Sequence, residues 1–284
     1  MADTLAAGRV RTAPPRRSGG IAIGAALAVL EYCARVYRRN WRGTMFMTFF
    51  SPILFLGAMG FGLGSFVDQA SATGGTSDML GGVAYAVFLA PGLLAVTCMQ
   101  TGTFEATYPV MGRLTWDKVY HAMLATPVSV PEIVAGQIGW FAIRLSLVAS
   151  AYYVVMLAFG LVIGGPLTLL IIPVGVLTGL SFAGPIAAFA ATQQNDDGFS
   201  MIFRFVVVPL FLFSGTFFPI SQLPGFLQVI AWLTPTFHGV ALARELSLGT
   251  IEVLPGVVHL GVLLAYVLGG TAAALVTFRR ALVK

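Results

Sequence analysis

The chain has 284 residues, a formal net charge of +5 and a mean hydropathy of +0.88, with 57% hydrophobic and only 10% charged residues. Soluble domains carry about 25% charged residues, so this composition excludes a large soluble body and marks an integral membrane protein. Apolar runs of about 20 residues, rather than ten-residue alternating segments, exclude a β-barrel and predict an all-α protein.

The positive charge is placed like a topology signal, not like a nucleic-acid surface. Eight of the sixteen Lys and Arg residues precede position 44, and Arg279, Arg280 and Lys284 close the chain. No nucleic-acid partner is expected.

In chain order, residues 1–23 are rich in Arg, Pro and Gly without an apolar period, which predicts a disordered tail. Arg16-Arg17 before an apolar run superficially resembles a twin-arginine signal, but no A-x-A site follows. Residues 24–42 are amphipathic. Glu31, Arg35, Arg38 and Arg42 share one helical face and Val29, Cys33 and Val36 another, which predicts a helix on the cytoplasmic membrane surface.

Six spans follow, at about 45–64, 83–104, 132–159, 167–192, 199–214 and 257–278. The polar segment 67–82 has no Lys or Arg. Ser129 with Glu132 forms a capping-box signal at the start of the third span. Gly175, Gly179, Ala183, Ala187 and Ala191 place small residues every fourth position of the fourth span, which permits close packing within one subunit or between two. Residues 221–246 hold two helical stretches too short to span, punctuated by Pro224 and Pro235. They predict short re-entrant or interfacial helices on the outer face.

With these spans, thirteen Lys and Arg fall in segments on one side, Arg244 falls on the other, and Arg144 and Arg204 lie within spans. The bias places both termini in the cytoplasm and the protein in the cytoplasmic (inner) membrane as a multi-pass chain.

No chemistry of its own is visible in the chain. The two lysines, Lys118 and Lys284, do not follow a glycine, so there is no phosphate-binding loop. His121, His238 and His259 fall on both sides, and Cys33 and Cys98 have no ligand spacing. Neither catalytic residues, metal nor a cofactor is expected in this chain.

The polar island at 108–131 is the exception to this blandness. It predicts a helix over Arg113–Ala125, with Trp116, Val119, Tyr120 and Met123 on one face and Arg113, Asp117 and His121 on another, Lys118 at the rim. Such a helix either lies on the inner leaflet or seats in a cleft of a soluble partner with aromatic anchors. Glu105 closes the second span at the inner end. Arg144, deep in the third, lines a polar route or interface or makes a structural pair. Arg204 snorkels or pairs with Asp196 or Asp197. Phe88, Met99, Phe211 and Phe213 are the candidates for a cargo path along spans two and five.

Trp116 with Tyr120–Pro127 (YHAMLATP), then 182–193 (FAGPIAAFAATQ), 213–219 (FSGTFFP) and 221–224 (SQLP) together resemble the permease subunits of type-2 ABC exporters. The likeness is nearest to the NodJ-like lipo-oligosaccharide branch, with daunorubicin-resistance permeases as relatives, and runs from about residue 25 to the end; the transmembrane domain is expected over residues 24–284. It implies a permease pair, identical or paralogous, working with two ATPase subunits that bind ATP and Mg. It also implies an amphipathic cargo such as a glycolipid, lipo-oligosaccharide or drug. The 113–125 helix would be the coupling helix. The competing expectation is a passive channel or secondary carrier uncoupled from ATP. A membrane enzyme is disfavoured, since no nucleophile–base pair is visible.

Overall fold

A computed structural model describes residues 22–74 and 82–283; of the tail predicted over 1–23, residues 1–21 lie outside it and Ile23 already begins the first helix. The described residues form helices. α1 spans Ile23–Phe55, continues through a π-helical stretch at Leu56–Leu63, and passes into α2, Gly64–Gly74. Ile23–Ala70 is one 48-residue helix, so the amphipathic segment runs into the first span without a break. Pro52 does not interrupt it, and the π-helical stretch that follows keeps the helix continuous into α2. Asp68, read from sequence as part of a loop, is helical, and its carboxylate accepts from the Tyr85 N–H at the start of the next helix.

α3 covers Tyr85–Ala106, α4 Tyr108–Met111 and α5 Val119–Leu124. α6 runs Val130–Ala158 and α7 runs Ile171–Ala190 after a 3-10 turn at Gly165–Leu170. α8 (Asp197–Ile202), a π stretch (Phe203–Val207) and α9 (Val208–Phe213) make a 17-residue run, about 26 Å long, where the fifth span was expected. α10 (Gly225–Leu233) and α11 (Pro235–Leu248) meet at 88° around Thr234, and α12 spans Val253–Leu282. Five described helices are long and apolar enough to cross a membrane, six if the bent α10–α11 pair counts as one.

α3, α6 and α7 form the buried centre, and glycines set their spacing. A Cβ on Gly102 would collide with the Gly179 carbonyl, and one on Gly175 would meet Leu94 and Cys98 at 2.7 and 3.1 Å. The small-residue stripe of α7 therefore packs against α3 within the chain, and Gly184 likewise meets Gly270 of α12. α1 runs alongside α6. Gly136 admits Val29, Tyr37 stacks edge-on against Trp140 at 5.5 Å, and Phe61 meets Phe159 at 5.4 Å. Glu132 joins the two helix starts. Its Oε2 accepts from the Ser129 N–H at 2.7 Å and its Oε1 from the Ala22 N–H at 2.9 Å, so one carboxylate caps α6 and α1 together.

The bundle thus has two ends. The 108–131 island lies at one, where Phe278 of α12 packs 5.6 Å from Tyr120. The α10–α11 hairpin lies at the other, where α12 presents His259. These two α12 residues are about 28 Å apart along the helix axis.

Candidate functional site

The island folds as two short pieces, not one helix. Thr107 leaves the helical region (φ −90°, ψ −96°) and ends α3. α4 and a π turn over Gly112–Trp116 follow, and then Lys118 adopts φ 51°, ψ 29°. It is the one non-glycine residue in the left-handed region among the described residues. Holding a lysine there costs about 1 kcal/mol, so surrounding contacts must fix it.

This reversal re-aims α5 and separates the residues expected to share a face. Trp116 is 59% exposed while Tyr120 is completely buried. Asp117, Lys118 and His121 are exposed, Arg113 and Met123 half-buried. The outward set is therefore Trp116, Asp117, Lys118 and His121, and the inward set is Arg113 and Tyr120, with Met123 at the boundary. Burial pushes the Tyr120 hydroxyl up to about 12, against the opposing pull of the Arg113 charge.

What receives the inward set is Gln137 of α6, which is 2% exposed. Its Oε1 accepts from Arg113 Nη1 at 2.8 Å and from the Tyr120 hydroxyl at 2.9 Å. The Cys33 thiol of α1 points at the same oxygen from 3.8 Å. Arg donates only, so the oxygen must face it, and Nε2 is left buried without a partner. One amide oxygen thus ties the island, α6 and α1 together. Sequence reading missed Gln137 because it sits inside an apolar span. Its signal was position: Gln137 and Arg144 are seven residues apart, two turns along one face of α6.

Two turns further along, Arg144 pairs with Glu105 of α3, Nε to Oε1 at 3.3 Å, and its guanidinium lies 5.1 Å from the Tyr37 ring centroid. Arg144 is therefore paired within the chain. The pair joins α6 to α3, with the Tyr37 ring of α1 beside it, and the buried Arg144 Nη1 and Tyr37 hydroxyl have no further partner. Arg204 stands apart. It is exposed, it makes no ion pair with Asp196 or Asp197 among the described residues, and Asn195 is the group that bonds Asp197. Arg204 lines an open cavity of about 770 Å³ with Tyr108, Ser200, Phe203 and Phe205.

The four cargo-path candidates do not converge. Phe88 and Met99 are buried in the centre, and Phe88 lies flat under the Arg244 guanidinium at 3.7 Å. Phe211 packs edge-on between Phe55 and Phe217, while Phe213 is exposed. Arg244, placed outside by sequence, turns inward. It donates to the carbonyls of Phe88, Gly215 and Thr216, stapling α11 to α3 and to the end of α9.

Beside the island, a second cavity of about 430 Å³ is lined by Lys118, His121 and Arg280 with Gln193 and Gln194. No carboxylate lines it, so the cavity wall carries the positive charges of Lys118 and Arg280, with the exposed Asp117 and the Trp116 indole on the adjoining island face. These groups can dock a protein surface. They include no pair that could perform covalent chemistry, and no cluster of three metal-ligating side chains occurs among the described residues.

Residues 25–248 match the family described as ABC-2 type transporter. The chain is 32% identical over 239 residues to "Nodulation protein J" of Rhizobium leguminosarum bv. trifolii, covering 82% of this chain and 87% of that protein. It is 31% identical over 238 residues to the protein of the same name in Rhizobium meliloti, with 81% and 86% covered. A third such protein, from Rhizobium leguminosarum bv. viciae, is 30% identical over 256 residues, with 88% and 94% covered.

Proposed function

This chain belongs to the ABC-2 type transporter family, and is the membrane subunit of an ABC transporter that works with an ATP-binding subunit; from that premise we propose the following mode of action. Two permease chains and two ATPase subunits make the exporter. The island faces the cytoplasm with both termini, in the inner membrane. Trp116, Asp117, Lys118 and His121 contact the ATPase, and Arg113 and Tyr120 carry its displacement inward through Gln137. ATP and Mg are bound by the ATPase chain. The cargo is amphipathic and moves outward, entering near Tyr108, Arg204 and Phe205. Glu105 with Arg144 acts as a brace between α3 and α6, beside the inner gate.

The observation that carries this reading is the split of one short segment into an exposed face of aromatic and charged side chains and an inward face bonded to α6. A membrane-lying helix would turn Trp116 and Met123 to lipid and leave its polar groups to water. This segment instead turns its polar Tyr120 and half-buried Arg113 inward onto Gln137. A nodulation-factor type of cargo is consistent with the names of the relatives, as is any glycolipid of similar amphipathic form.

The test is co-purification. Trp116→Ala with His121→Ala removes two exposed side chains, so membrane insertion and melting temperature should stay unchanged. Recovery of the ATPase and ATP-dependent transport should fall at least tenfold, the effect of losing one interface anchor. Undiminished recovery and transport would sink the docking role, and transport without nucleotide would favour a carrier.

A further inference from the structure

At the hairpin end, His238 of α11 and His259 of α12 approach with Nδ1 to Nδ1 at 2.7 Å, and both rings are buried. A contact this short requires a hydrogen on one nitrogen and a lone pair on the other. The other nitrogens decide which. His238 Nε2 lies 2.8 Å from the Trp232 carbonyl oxygen of α10, which can only accept, so Nε2 carries hydrogen. Neutral His238 therefore offers the lone pair of Nδ1, and His259 Nδ1 donates to it. That leaves the lone pair of His259 on Nε2, which faces Glu245 Oε1 of α11 at 3.7 Å. An imidazole lone pair and a carboxylate cannot bond each other, and Glu245 Oε2 is buried without any partner. The relay from Trp232 to Glu245 is complete in every contact but its last, and there it lacks one proton.

We propose that His259 and Glu245 form a proton-binding site, and that the bound proton locks the α10–α11 hairpin onto α12. A proton from hydronium adds to the lone pair of His259 Nε2 and bridges it to the Glu245 carboxylate; the O–H bond of the hydronium breaks, a water molecule leaves, and no other bond changes. Placing the added proton on His238 gives the same count, since His259 then donates from Nε2. The locked chain runs from Trp232 through His238 and His259 to Glu245. It joins all three helices, alongside the bond of the Tyr266 hydroxyl to Leu233.

No other cation competes for the site. α10 carries no titratable side chain and α7 none. Arg244, the neighbour of Glu245, points away to Phe88, Gly215 and Thr216. Of the titratable groups on α6, Glu132 caps its first turn and Arg144 pairs with Glu105, both toward the island end; Tyr153 bonds Thr168, and Tyr152 makes no hydrogen bond. The charged group that remains is Glu252, just before α12; burial first, and then the negative charge of Glu252, oppose ionisation of Glu245. The locked form holds one proton more than the open form. It is therefore favoured as pH falls and lost as pH rises through the titration of the pair.

Trp232 is a reporter already in place, 5.3 Å from the His238 ring and 6.3 Å from the His259 ring, and imidazolium quenches indole emission. The full chain in lipid nanodiscs, with Trp41, Trp116 and Trp140 changed to Phe, is titrated from about pH 5 to 8, the range in which histidine changes charge. A single emission step is expected. Glu245→Gln should move its midpoint down by one pH unit or more, a tenfold loss of proton affinity, and His259→Gln should abolish it. Amide exchange in α10 should slow at low pH in the wild type and not in Glu245→Gln. If Glu245→Gln does not fold, Glu245→Asp should shift the step in the same direction. An unmoved midpoint, no step, α10 exchange independent of pH, or a step removed by EDTA (a metal site instead) overturns the proposal.

Discussion

Replacing Gln137 by Leu isolates the contribution of one oxygen to the link between island and membrane body. The isostere fills the same space but removes the acceptor from the Tyr120 hydroxyl, which is fully buried, and from Arg113, which is half-buried. A buried hydroxyl left unpaired costs about 2 kcal/mol, and the half-exposed guanidinium, which water can still reach, about 1 kcal/mol. The sum of about 3 kcal/mol lowers the melting temperature by roughly 5–10 °C for a chain of this size. Gln137→Glu keeps the oxygen and adds a charge opposite Arg113, so it should recover most of the loss. The decisive measurement is a double-mutant cycle with Tyr120→Phe. Once Gln137 is Leu, the hydroxyl has no partner, and its removal should cost nothing or stabilise, a coupling of about 1 kcal/mol or more. If Gln137→Leu lies within about 0.5 kcal/mol of wild type, or if the two changes add, the shared-acceptor reasoning is wrong. Loss of cargo-stimulated ATPase activity with ATPase binding retained would place the defect between docking and transport.

Two further outcomes follow from the packing. Glu105→Gln leaves the Arg144 guanidinium, 6% exposed, without its carboxylate and should cost about 3 kcal/mol, whereas Arg144→Met should cost less because no buried charge remains; equal melting temperatures for the two would refute this ordering. Gly102→Ala drives a methyl group into the Gly179 carbonyl and should destabilise by about 1–3 kcal/mol, while Gly57→Ala, open to space, should not; thermal unfolding of the two variants separates the cases.

Hydropathy and charge placement made the helical membrane class and the island legible, because both depend on composition over windows of about 20 residues. The path from Arg113 through Gln137 to Cys33 was not legible. Each partner sits on a different helix, and a single polar residue inside an apolar span does not break the hydropathy signal. The left-handed turn at Lys118 was invisible for another reason. Lysine has no preference for that region, so tertiary contacts and not local propensity decide it. A regular helix period carried across that residue put Trp116 and Tyr120 on one face, and the turn pulled them apart. The histidine pair was equally hidden: His238 and His259 are 21 residues apart and looked unrelated until the hairpin folded back along α12.

The 48-residue helix from Ile23 to Ala70 is about 72 Å long, more than twice the hydrocarbon thickness of a bilayer. A rod of this length has the geometry of a lever. Its basic end sits beside Gln137, so a tilt of a few degrees there becomes a sweep of several ångströms at the far end. The π turns at Leu56–Leu63 are where its regular hydrogen-bond ladder changes, and they lie where Leu56 and Gly60 enter the core. Stiffness on one side of that section and compliance on the other would convert a push at the island into a bend near the opposite membrane face.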